Sequence, residues 1–266
     1  MKIRIGFIGL GNMATAMIEG ILKKQIAAPS EVIGSARTQE TCDRVRDKYG
    51  IAVGTNKEVA GMSDILFLAI KPQFFKDVVE EIKDSVTSDM TIVSIAAGIT
   101  LQDMQDFFQN SELKFVRCMP NTPALVLAGC TGVSPAGNVD AEKLQEVLHI
   151  LESFGTVNVV PERLMDVVVG VSGSSPAYVF MFIEALADAA VAGGMPRKQA
   201  YEFAAQSVMG SAKLVLETGK HPGELKDMVC SPAGTTIQAV KVLEEKGFRG
   251  AVFDAVEACI NKARKL

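Results

Sequence analysis

Two stretches of this chain hold the residue types and spacings that chemistry needs. Near the N-terminus, Gly9-Leu10-Gly11-Asn12-Met13-Ala14 forms a G-x-G-x-x-A turn. An apolar run (Ile3, Ile5, Phe7, Ile8) precedes it, and a helical pattern at Met13, Met17, Ile18, Ile21 and Leu22 follows. Strand, glycine turn and helix in that order make a dinucleotide-binding fingerprint. Gly9 permits the tight turn, Gly11 lets backbone approach a pyrophosphate, and Ala14 keeps the helix close to the sheet. The free N–H groups at the helix start face the anion. In the second half, Cys230-Ser231-Pro232-Ala233-Gly234-Thr235-Thr236 feeds a helix that continues through Glu244. A glycine-containing loop opening into a helix N-terminus is a cradle of backbone donors for an anion. The hydroxyls of Ser231, Thr235 and Thr236 add donors, and no charged side chain crowds them, which suits a small carboxylate. The plainer reading of this stretch is a capped helix.

Other positions carry weaker signals. In NAD binders the strand after the first helix ends in an acid that takes the ribose hydroxyls. Here Glu31–Arg37 ends in Ser35 and Arg37, with Thr38 next. A hydroxyl and a guanidinium suit a 2′-phosphate, which a carboxylate would repel, so the reading is NADP(H) in preference to NAD(H). An ordinary surface turn is the alternative. Asn121, set in Met119-Pro120-Asn121-Thr122-Pro123, could bond a carboxamide such as that of nicotinamide, or could serve a rigid loop. Glu184 and Asp188 read as a polar stripe facing water rather than as catalytic acids. The five cysteines are odd in number and scattered with no C-x-x-C, and the two histidines, His149 and His221, lie far apart. Reduced thiols in a cytoplasmic protein are therefore expected, with no disulfide frame and no metal site.

The elements that must position these residues change character near residue 160. Before it, short apolar strands alternate with helices. Continuous runs such as Ile65–Ile70 predict buried parallel strands, and the alternation predicts a doubly wound, Rossmann-type α/β sheet over residues 1–160. The strand ends at Gly9–Ala14, Ser35–Arg37, Ala69–Pro72, Ala96–Gly98 and Met119–Pro123 should meet in one crevice. Small residues there, including Ala69, Ala96 and Ala97, leave room for a flat ring and ribose. After Pro161 helices dominate, so residues 161–266 are read as an all-α domain. Ser175 is expected to cap a helix starting at Pro176. That helix, Ala177–Ala192, is apolar on nearly every side, as in a bundle or an oligomer interface.

Composition narrows the function classes. With 266 residues the chain can bury a large core. A net charge of −4 with mixed signs leaves no basic stripe for nucleic acid. No signal peptide is read at the start, and no membrane span later, because the apolar segments are short or carry Asp and Glu.

With these pieces placed, the whole chain resembles the pyrroline-5-carboxylate reductases. The matches are GFIGLGNMA at the start, Ala69-Ile70-Lys71-Pro72, Ser94-Ile95-Ala96-Ala97-Gly98, MPNTP at 119–123, SGSSPAY at 172–178 and, most specifically, LKDMVCSPAGTTIQAVKVLE at 225–244. Ala233 and Ser175 stand where that family commonly has Gly. The resemblance implies hydride transfer from NAD(P)H to the C=N bond of 1-pyrroline-5-carboxylate, giving L-proline, the last step of proline biosynthesis. NADPH is the implied cofactor, with NADH as a second option. Contacts to it would come from Gly9, Gly11, Asn12 and Met13, from Ser35, Arg37 and Asn56, from Ala69, Ile70, Lys71 and Pro72, and from Ala96 and Ala97. Ser231, Gly234, Thr235 and Thr236 would hold the cyclic imine carboxylate, with Thr236 as the catalytic group. The resemblance also implies a homodimer through the C-terminal helices, with a larger ring of dimers as an option, and the substrate loop of one subunit over its partner's crevice. A β-hydroxyacid dehydrogenase, the nearest rival, would carry Met-Gly after the fingerprint and a Lys on the central helix. Here Ala14 follows Met13, and Ala177–Ala192 has no Lys. A non-catalytic NADPH sensor would need a blocked substrate loop, and Ser231–Thr236 is intact.

Overall fold

Apolar residues alternate between two faces along every central strand, and that alternation builds two cores. The computed structural model describes residues 4–265; Ile3, part of the apolar run, lies outside them. The first strands and helices are β1 (Ile5–Ile8), α1 (Asn12–Lys23), β2 (Val32–Ser35), α2 (Gln39–Tyr49), β3 (Ala52–Val53) and α3 (Asn56–Met62). There follow β4 (Ile65–Leu68), α4 (Phe75–Ile82), β5 (Thr91–Ser94), α5 (Leu101–Phe108) and β6 (Lys114–Met119). The sheet is completed by β7 (Gly129–Pro135) and β8 (Gly155–Val159), with α6 (Ala141–Glu152) between them. The spatial order is β3-β2-β1-β4-β5-β6-β7-β8. Every pairing is parallel except that of β6 with β7. The order reverses between β1 and β4, where a doubly wound sheet opens its ligand crevice.

On one face Ile5, Phe7, Phe67 and Val93 pack with Met17 and Ile21 of α1. On the other, Ile8, Leu66, Leu68 and Ile92 pack with Val79 of α4 and Met104 of α5. Phe7 and Phe67 are register partners and stack at 4.9 Å. Each such fully buried side chain contributes roughly 1.5–3 kcal/mol, so the sheet holds itself together. Helix starts are set by short polar residues. Thr100 accepts from the Asp103 N–H while Asp103 reaches back to the Thr100 N–H, a reciprocal capping box. Thr55 and Glu58 do the same for α3, so Asn56 is the first residue of that helix and its side chain is released for another task.

Beyond β8 come α7 (Met165–Val168), a π turn (Val169–Gly173) and α8 (Ser175–Ala192). Ser175 does not cap α8, because the chain entering it is already helical: the Ser174 N–H reaches back five residues to the Val169 carbonyl at 2.8 Å. A helical run therefore spans Glu162–Ala192, and it is long and apolar enough to cross a membrane by length and composition. This corrects the expectation that no stretch would qualify, which assumed a break at Ser172–Pro176. The remaining helices are α9 (Arg197–Thr218), α10 (Pro222–Val229), α11 (Thr235–Glu245) and α12 (Phe248–Ala263). The chain divides into two compact units. One contains the sheet, runs to Ser174 and resumes at Cys259; the other is Ser175–Ala258. In the second unit the buried cluster is Ala187, Ala200 and Ala204, whereas Phe180 and Phe203 are 63% and 68% exposed.

Candidate active site

The crevice opens where β1 and β4 end. Gly9 has a φ of +97°, and a Cβ there would sit 2.4 Å from the Ala69 carbonyl oxygen. Only glycine allows the strands to close so tightly at this turn. Gly11 is different. Its φ of −77° suits any residue, and a Cβ there would meet nothing within 4 Å. Nothing in the protein forbids a side chain at 11, so the space is kept for something else. Gly11 is also the N-cap of α1, with no side-chain cap and no acid in the first turn. The first N–H groups of α1 thus lack protein acceptors and point at that space. Among the described residues this arrangement fits the pyrophosphate of a dinucleotide.

A cavity of about 540 Å³ extends from this turn. Gly9, Gly11, Arg37, Asn56, Ala69, Ile70 and Lys71 line it, so seven of the expected cofactor residues come together. Asn12, Met13, Pro72, Ala96 and Ala97 border the same strand ends without lining the cavity wall. Ser35 lies at the end of β2 but is 1% exposed, and its hydroxyl donates to Asn56 Oδ1 at 2.6 Å. Asn56 in turn donates to Glu81 Oε2 at 2.8 Å. Ser35 is thus a strut that orients Asn56, which reaches the cavity in its place. The Arg37 guanidinium lies 5.7 Å from the centre of the Phe74 ring. Thr38, noted beside Arg37 in the sequence, lines the wall too, as do Thr41, Arg44, Phe74 and Asp77, which escaped the sequence reading. A usable signal existed, since Thr38, Thr41 and Arg44 are spaced by three and so share one face of a helix.

Asn121 does not face the cavity. Its amide oxygen accepts from the Cys130 N–H at 2.8 Å, and its Nδ2 donates to the Ser172 carbonyl at 3.1 Å. Pro176 has no N–H to offer the carbonyl four residues back, and that carbonyl belongs to Ser172. Asn121 supplies the missing donor, so the two motifs MPNTP and SGSSP are halves of one structural joint. Arg117 secures the same region from β6. It is 4% exposed and pairs with Glu162 at 3.2 Å and Asp166 at 3.8 Å, and Glu162 also accepts from the Leu101 N–H.

The second expected site lies in the helical unit. Cys230 ends α10 and Gly234 is the N-cap of α11, without a side-chain cap. Thr235 and Thr236 are the first two residues of that helix, so their N–H groups have no acceptor within it. The Gly234 N–H closes the loop onto the Ser231 carbonyl at 3.0 Å. A Cβ on Gly234 would fall 2.3 Å from the Ser231 hydroxyl oxygen. Ala233 holds a φ of +57°, a left-handed position that costs a residue with a Cβ about 1 kcal/mol. Glu184 and Asp188 are exposed, and Asp188 pairs with Arg197. His149 is exposed on α6, and His221 caps α10 through Nδ1, which accepts from the Gly223 N–H.

Comparison with known proteins gives these features a context. A family model described as NADP oxidoreductase coenzyme F420-dependent matches residues 4–98, and one described as pyrroline-5-carboxylate reductase dimerisation matches residues 162–266. Fold and crevice together thus define a pyridine-nucleotide oxidoreductase with a Rossmann-type sheet and an all-α dimerisation domain. The chain is 52% identical to pyrroline-5-carboxylate reductase from Escherichia coli K12, over 100% of this chain and 99% of that one. A solved pyrroline-5-carboxylate reductase from Coxiella burnetii matches with a TM-score of 0.92 and 34% identity, covering 100% of this chain and 98% of the other. The Plasmodium falciparum pyrroline carboxylate reductase, solved with NADP bound, matches with a TM-score of 0.90 and 31% identity, over 99% and 97%. The chain belongs to the pyrroline-5-carboxylate reductase family.

Proposed function

We propose that the protein reduces the C=N bond of 1-pyrroline-5-carboxylate to give L-proline, closing proline biosynthesis, with NADPH as the reductant and NADH as a second, poorer one. The observation that supports this most is the intact loop Ser231–Thr236, capped by backbone donors, in a chain similar to such reductases along its full length. When bound, the dinucleotide supplies the hydride. Gly11 and the first turn of α1 hold its pyrophosphate, Arg37, Asn56 and Lys71 line its path, and the small Ala69 lets the ring approach the sheet. Pro72, Ala96 and Ala97 shape the strand ends around it.

The Thr235 and Thr236 N–H groups, with the Ser231 hydroxyl and the Gly234 turn, hold the substrate carboxylate. A protonated imine is already electrophilic, so alignment and anion binding do most of the catalytic work. Thr236 bonds the ring nitrogen as it becomes an amine. Replacing it by valine keeps the shape and removes that bond, so kcat for NADPH consumption should fall roughly ten- to hundred-fold. Wild-type turnover in Thr236→Val would remove Thr236 from catalysis. The reaction itself is tested by following NADPH absorbance with 1-pyrroline-5-carboxylate beside its six-membered analogue. Turnover of neither imine would refute the assignment.

Residues 161–266 form the dimerisation part in this reading, and homodimers build into a larger ring. The apolar surface of α8 and α9 supports a protein partner rather than lipid as the cover for Glu162–Ala192, because the dimerisation match spans that run. All five cysteines are unpaired, which supports a reducing, cytoplasmic setting.

A further inference from the structure

The wall of the cavity beyond β2 carries more positive charge than a dinucleotide without a 2′-phosphate would use. Arg37 and Arg44 both line it, the first just past β2 and the second on α2. Neither makes an ion pair with a described residue. Of the neighbouring carboxylates, Asp43 is engaged with Arg46 and Gln39 and Asp47 with Arg46, while Glu40, one turn before Arg44 on α2, stays outside the cavity lining. The face of Phe74 steadies Arg37. Thr38 and Thr41 present hydroxyls 2.9 Å apart on the same wall. Asp77, on α4, is the one acid among the residues that line the cavity, against Arg37, Arg44 and Lys71. Ser35, the hydroxyl that the sequence pattern favours for this role, is buried against Asn56.

We propose that Arg44 determines the cofactor preference of this enzyme. Together with Arg37 it clamps the 2′-phosphate of NADPH, and Thr38 and Thr41 complete the shell. Two guanidiniums can share a phosphate dianion because each presents a planar fork of donors, a geometry lysine lacks. The inference rests on the assignment of the crevice to the dinucleotide, and the test separates the two.

The probes are 2′,5′-ADP and 5′-AMP, titrated calorimetrically into the full-length protein without substrate. They differ by the 2′-phosphate alone. Arg44→Ala should weaken 2′,5′-ADP roughly ten- to hundred-fold and leave 5′-AMP within about two-fold. Arg44→Lys should fall between the wild type and Arg44→Ala, and the salt dependence of 2′,5′-ADP binding should flatten with each arginine removed. Arg44 is exposed and unpaired on a helix surface, so its alanine variant keeps the fold, which circular dichroism verifies. Equal losses for both probes, or no loss for either, overturn the role of Arg44. Wild-type protein that binds neither probe, with or without salt, overturns the crevice assignment and the inference with it.

Discussion

Gly9 and Gly11 stand two residues apart and are needed for opposite reasons, one by the protein and the other by its ligand. Gly9→Ala drives a Cβ into the Ala69 carbonyl at an unfavourable φ, and should destabilise the fold by about 2 kcal/mol or more. Gly11→Ala meets no protein atom. It should melt within a degree or two of wild type yet bind NADPH roughly ten-fold or more weakly, as fluorescence titration would show. Equal stability losses in the two variants would refute this division. Such residues were legible in the sequence because glycine patterns encode backbone geometry directly. Ser35 and Asn121 were not, since a sequence shows that a side chain can bond but not in which direction a strand or turn aims it. Ser35 turns into the protein towards Asn56, and Asn121 spends its amide on Ser172 and Cys130.

Elements were most legible where local chemistry decides them. Asp140 caps α6, and Thr100 caps α5 because a short hydroxyl three residues before an acid suits a helix start. The start of α8 was misread because the same Ser-Pro signal also suits the interior of a helical run, provided another group serves the carbonyl that proline neglects. That group is Asn121, 51 positions before Ser172 on a different element, and no local pattern reports it. Asn121→Ala leaves the Ser172 carbonyl and the Cys130 N–H without this partner. It should lower stability by about 2–4 kcal/mol in urea denaturation while NADPH affinity in the folded fraction holds. Loss of affinity at unchanged stability would instead return Asn121 to the nicotinamide.

For the whole molecule the decisive contrast is between a sheet unit rich in buried phenylalanine, isoleucine and leucine and a helical unit whose buried cluster is three alanines. Alanine burial alone cannot offset the ordering of long helices, so a second chain must cover the apolar faces. A charge placed there should separate the dimer: Phe180→Glu or Phe203→Glu should sediment as a smaller species at micromolar concentration, with activity lost in parallel. An unchanged sedimentation coefficient in both variants would move the interface elsewhere. The all-round apolar pattern of Ala177–Ala192 made this surface legible, but periodicity cannot tell an intramolecular neighbour from a second copy. One feature of the sheet unit bears on how the chain is made. The unit takes back residues from Cys259 onward, where the Cys259 thiol meets the Ser174 hydroxyl at 3.2 Å and Ala263 is buried. In the order of synthesis these residues follow Ser175–Ala258, so the nascent sheet unit stays incomplete until every helix between has been made.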